Sequence, residues 1–62
     1  MSIEAIEYCA RAVVRHLNGD FKLSEKYRDK AIEIYDKLKY RHPEKINFYQ
    51  EKINELLKLQ NN

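Results

Sequence analysis

Glycine, proline and cysteine each occur once in these 62 residues, and tryptophan is absent. So little Gly and Pro excludes a loop-rich or collagenous chain. A single glycine cannot build a phosphate-cradling loop. The lone Cys9 excludes an internal disulfide framework and any multi-cysteine zinc site. Charge of one sign is also missing, because twelve Lys and Arg face ten Asp and Glu for a net +2. No apolar run exceeds three residues, as in Ala12-Val13-Val14, which excludes a membrane span. Met1-Ser2-Ile3-Glu4 has no signal-peptide character. What is present is 44% apolar and 35% charged residues, too apolar for a disordered tail. The composition predicts a small helical domain, soluble and cytoplasmic, that buries only about 60% of its unfolded surface.

The Gly and the Pro cut the chain into three pieces of similar length. Ser2 suits the cap of a first helix, with Glu4 and Glu7 at its positive end. In that helix Ile3, Ile6, Ala10, Val13 and Leu17 recur at three- and four-residue spacing and read as its inward stripe. Asn18-Gly19 stops it, with Gly19 suited to the left-handed position after the helix. Asp20 caps a second helix whose stripe is Leu23, Tyr27, Ala31, Ile34 and Leu38, flanked by Ser24 and Tyr35. Lys37, Lys39, Arg41 and His42 complement its negative end. Pro43 breaks it and suits the first turn of a third helix, with Ile46, Tyr49, Ile53, Leu56 and Gln60 inward. Short connections force antiparallel neighbours. The expected fold is all-α: one domain over 1-62, an up-down-up antiparallel three-helix bundle with helices at about 2-17, 21-41 and 43-60.

No catalytic constellation converges. His16 and His42 fall near the ends of different elements, and no Lys, Arg or His lies nearer Cys9 than Arg11, so a buried thiol is the simpler reading. The reading is therefore of a non-enzyme with no cofactor and no metal. Lys37, Lys39, Arg41, His42 and Lys45 are explained by the end of helix two, and acids are mixed through the rest, so nucleic-acid binding is not expected.

From Ala10 the chain reads ARAVVRHLNGDFKLSEKYRDKAIEIYDKL. Small residues at Ala12, Ser24 and Ala31 allow two antiparallel backbones to approach closely, and Asp20-Phe21 fills the turn. This pattern resembles the helix–turn–helix core shared by tetratricopeptide repeats and MIT (microtubule-interacting and transport) domains. A tetratricopeptide unit recurs in tandem and ends its second helix with a Pro. Here Asp36 stands in that place, the helix runs on to about Arg41, and no second copy follows. The third-helix run Lys52-Ile53-Asn54-Glu55-Leu56-Leu57 is similar to the MIT stretch Lys-x-x-Glu-Tyr-Leu, with Leu56 replacing Tyr. The ending Leu59-Gln60-Asn61-Asn62 departs from that family's longer third helix.

The MIT resemblance implies a protein-interaction module for the C-terminal tails of ESCRT-III-type filament proteins, working with the AAA ATPase that disassembles them in membrane remodelling or cell division. It also implies a monomeric domain with no direct membrane insertion. Abundant Lys, Glu, Ile and Tyr beside two Gln lean towards a hyperthermophile and an archaeal setting. Two grooves are used in the family, and the residues favour the one between helices one and three. The row Ala5, Cys9, Ala12 and His16 reads either as close packing or as a shallow groove floor. Phe48, Lys52 and Leu59 supply the opposite wall. Leu57, among the amides Gln50, Asn54 and Asn61, is the alternative anchor between helices two and three. The rival readings are a tetratricopeptide-like adaptor fragment and a small helical regulator that self-associates.

Overall fold

The computed structural model describes residues 3–59, and they form the expected all-α three-helix bundle. Helix α1 spans Ile3–Leu17, α2 Phe21–Arg41 and α3 Ile46–Leu57. A single 3-10 turn, Pro43–Lys45, leads into α3. The expected cap at Ser2 and the inward Gln60 lie outside the described residues.

Both connections follow from local chemistry. Gly19 adopts a φ of +82°, which L side chains rarely take. That conformation lets the Asp20 N–H donate to Arg15 O at 2.9 Å and the Gly19 N–H donate to His16 O at 3.1 Å. These are the two bonds of a Schellman closure, which satisfies carbonyls left open at the helix end. The Asp20 carboxylate accepts from the Leu23 N–H at 3.4 Å and so caps α2. At the second connection the His42 N–H donates to Leu38 O at 2.9 Å. Pro43 then sits where an N–H would have no partner.

Helix α3 ends earlier than the sequence spacing suggests. The Lys58 and Leu59 N–H groups donate to Glu55 O and Leu56 O, a tightened final turn. Tyr49, Ile53 and Leu56 are buried as expected, whereas Ile46 is half exposed.

The larger correction concerns α1. The row of big residues expected to face inward is on the surface: Ile3 is 73% exposed and Leu17 78%, and Ile6, Val13 and Ala10 are exposed too. The small row faces α2 instead, with Ala5 and Ala12 at 0%. The reason lies on α2, where Tyr35 is buried, Tyr27 is half-buried and stacks on Tyr8 at 6.1 Å between ring centroids, and Ser24 and Ala31 are fully packed. The buried Tyr35 ring has the small Cys9 as its α1 partner, 3.6 Å from its hydroxyl, and small residues on both sides at Ala12, Ser24 and Ala31 bring the backbones together. The Ser24 hydroxyl then reaches the Ala12 carbonyl at 2.7 Å.

Helix α2 is the central element. It packs against α1 along one side and α3 along the other, and the backbones of α1 and α3 hardly meet. The Cα envelope is correspondingly flat, 36 × 21 × 12 Å. The core is small. Its large members are Tyr35, Tyr49, Ile53 and Leu56, completed by Ala5 and Ala31, and Tyr35 meets Tyr49 at 6.0 Å between ring centroids. Burial of Ile53 and Leu56 contributes roughly 1.5–3 kcal/mol each. Ten large apolar side chains meanwhile remain at least 39% exposed, so the described residues carry more large apolar groups outside the core than within it.

Candidate peptide groove between the first and third helices

Because α1 and α3 flank α2 without closing on each other, a furrow runs between them with α2 beneath. Two neighbouring cavities mark it, of about 260 and 170 Å³, and they share Cys9, Lys52 and Glu55. On the α1 side, Ile6 and Val13 stand one at each end with Cys9 between them. On the α3 side, Phe48 lines the first cavity and Leu59 the second. Tyr35 and Leu56, both core residues, form the floor.

Ile6 and Val13 are seven residues apart and so lie on one face of α1, about 10 Å apart along the axis. Phe48 and Leu59 are further apart along their own side, about 16 Å at helical rise. A furrow of that length accommodates about five residues of extended chain.

Its chemistry is apolar with one pair of charges at the rim. Lys52 Nζ lies 5.4 Å from the Phe48 ring centroid and 4.0 Å from the Glu55 carboxylate. At 4.0 Å that ion pair is loose and half exposed, and contributes little to stability. Both groups therefore keep hydrogen-bonding capacity for a docked chain, Lys52 as donor and Glu55 as acceptor. Cys9 Sγ is 3.6 Å from Tyr35 Oη, within reach of a weak sulfur hydrogen bond. Burial, then this contact with Cys9, pushes the Tyr35 phenol well above its ordinary range. The hydroxyl at the floor is thus a neutral group over the whole physiological pH range.

The sequence-level candidates divide into three groups. Cys9, Phe48, Lys52 and Leu59 do line the furrow. Ala5 and Ala12 do not: they are sealed at 0% exposure beneath α2, which corrects their assignment to a groove floor. His16 does not line it either. It packs edge-on against Phe21 at 5.3 Å between ring centroids, beside the first connection, with Nδ1 buried and lacking a hydrogen-bond partner. Sequence reasoning missed Ile6, Val13 and Tyr35 as groove residues. The available signal was that α1 carries two competing rows, of which only one can face α2.

The opposite furrow, between α2 and α3, is already committed to polar contacts. Lys39 Nζ donates to Gln50 Oε1 at 2.7 Å, and Gln50 Nε2 donates to Asn54 Oδ1 at 3.0 Å. Leu57 stands beside this chain of amides, 39% exposed. Comparison with protein-family models, with curated proteins and with solved structures gives no match.

Proposed function

We propose that this chain is a protein-interaction domain of MIT type, which takes the C-terminal tail of an ESCRT-III-type filament protein in the furrow between α1 and α3. In that role it recruits an AAA ATPase to such filaments in the cytoplasm, for membrane remodelling or cell division. One observation carries the choice of site: Ile6, Cys9, Val13, Phe48 and Leu59 form an apolar channel that the protein's own helices leave uncovered. Such a channel suits an extended, Pro-containing segment, whose apolar side chains enter between the walls and whose backbone meets Lys52 and Glu55 at the rim. The satisfied amides along the other furrow argue against an apolar tail there, since a docked chain would have to displace the contacts of Gln50 and Asn54.

The interface is small. A single furrow of this length buries less than about 1,200 Å² in total, which places it in the transient class. Selection would then come from avidity, many tails on a filament meeting many domains on a ring.

Calorimetric titration with a Pro-containing ESCRT-III-type tail peptide tests the reading. Val13→Asp and Phe48→Asp should each weaken binding about tenfold or more, with helical content unchanged because both positions are already solvent-exposed. Leu57→Asp should leave affinity as it was. The reverse pattern would move the site to the α2/α3 side, and no binding by the parent chain would remove the proposal.

A further inference from the structure

We infer that the outward face of α1 is a homodimer surface, on which a second copy of this chain docks its own α1 antiparallel. The face is distinct from the furrow. Ile6 and Val13 turn towards α3 and line the channel, whereas Ile3, Ala10, Val14 and Leu17 touch neither the channel nor the core. Ile3, Val14 and Leu17 are 73%, 53% and 78% exposed, and Ala10 is exposed as well. Ile3, Ala10, Val14 and Leu17 differ by seven, four and three residues, so they form one continuous row along the helix.

Three features of this row point to a copy of itself. Ala10 stands at its middle, with Ile3 seven residues before and Leu17 seven residues after. An antiparallel pair crossing at Ala10 therefore sets each Ile3 against the other copy's Leu17, and the small residue lets the axes approach. The charges are arranged in the same sense. Glu4 and Glu7 occupy the first half of α1, and Arg11 and Arg15 the second. Reversing one copy places acids opposite bases on both halves, whereas a parallel pair would set like against like. The area is also self-consistent with a weak assembly. The row exposes on the order of 400 Å² per copy, which puts a dimer below the standard interface size. The family resemblance, by contrast, implies a monomeric domain, and sedimentation separates the two expectations.

A lipid surface is the other partner an apolar helix face suggests. Membrane-lying helices carry Lys and Arg on their polar face, whereas here Glu4 and Glu7 share the ledge with the bases, which favours the protein partner.

Sedimentation equilibrium of the intact chain, from low micromolar to submillimolar concentration, tests the inference. The expected result is a concentration-dependent monomer–dimer equilibrium. Val14→Glu, at an exposed site that leaves the core alone, should weaken association about tenfold or more. Glu7→Arg should weaken it as well, and Glu7→Arg combined with Arg11→Glu should restore it, since the reversed charges are again complementary in the antiparallel arrangement. Circular dichroism of each variant checks that the helices persist, because Arg11 also lies 5.9 Å from the Tyr8 and Tyr27 ring centroids. A monomer mass across the whole range would overturn the inference, as would a dimer indifferent to Val14→Glu. Sedimentation with anionic phospholipid vesicles that Val14→Glu abolishes would assign the row to a membrane and overturn it equally.

Discussion

The Ser24 hydroxyl donates to the Ala12 carbonyl at 2.7 Å across the α1/α2 contact, with both residues essentially removed from solvent. Ala12 O belongs to the interior of α1 and already serves as a helical acceptor, so the hydroxyl uses its second lone pair. The bond is a consequence of close approach and a constraint on it, since any larger residue on either side separates the two backbones.

Ser24→Ala should therefore cost only about 1 kcal/mol, the net worth of one hydrogen bond, because the carbonyl keeps its helical partner. Ser24→Leu keeps the site apolar yet overfills it and should cost about 1–3 kcal/mol. Urea denaturation of the two variants distinguishes them. Equal midpoints would mean that α1 and α2 are not held by close packing at this point.

Gly19 offers a cleaner test of backbone conformation. A Cβ built there meets nothing within 4 Å, so Gly19→Ala is penalised only by the positive φ, about 1 kcal/mol. Gly19→Asn should cost less, because Asn tolerates the left-handed region. Thermal melts of both variants, with stability falling in the order Gly, Asn, Ala, check this. Indifference to Ala would contradict the left-handed turn.

Tyr35 links stability to alkaline pH. Its folded pKa is raised above the ordinary phenol value of about 10, first by burial and then by Cys9. The folded state thus holds the phenol proton more tightly than the unfolded chain does. The resulting stability is complete below pH 10 and is lost as pH rises from there towards the folded value. Urea midpoints measured from neutral pH to pH 11 should fall less steeply at the alkaline end for Tyr35→Phe than for the parent chain. Parallel profiles would mean that Tyr35 is solvated.

Ala12→Asp and Val13→Asp are neighbours in sequence with opposite expected outcomes. Ala12→Asp buries a carboxylate against α2 and should unfold α1 from α2, visible as lost helical signal. Val13→Asp should keep the signal and lose tail binding. If Ala12→Asp stayed folded, the small row would not be the buried one.

Much of this architecture was legible in the residues. Gly19 and Pro43 marked both breaks, Asp20 marked the cap, and Ala12, Ser24 and Ala31 marked the close contact. Those signals are local, depending on backbone φ, missing N–H groups and side-chain size. Phe48, Lys52 and Leu59 were also legible as groove residues, because the flank of α3 bearing Phe48 and Leu59 carried apolar residues that its core stripe did not claim, whereas of the row Ala5, Cys9, Ala12 and His16 only Cys9 lines the channel.

Which row of α1 faces inward was decided only by the tertiary structure. On hydrophobicity alone Ile3, Ile6, Val13 and Leu17 outrank Ala5, Cys9 and Ala12. Burial depends on what stands opposite, however, and α2 presents the buried Tyr35 ring against Cys9 and the close-packed Ser24 and Ala31 along the same contact. Two bulky rows would hold the helices apart and leave Ser24 short of its acceptor. The amino-acid sequence thus determined three helices, the two breaks between them and a point of close approach. The choice of interface, and with it the channel left open beside α3, came from the volume and hydrogen bonding of α2.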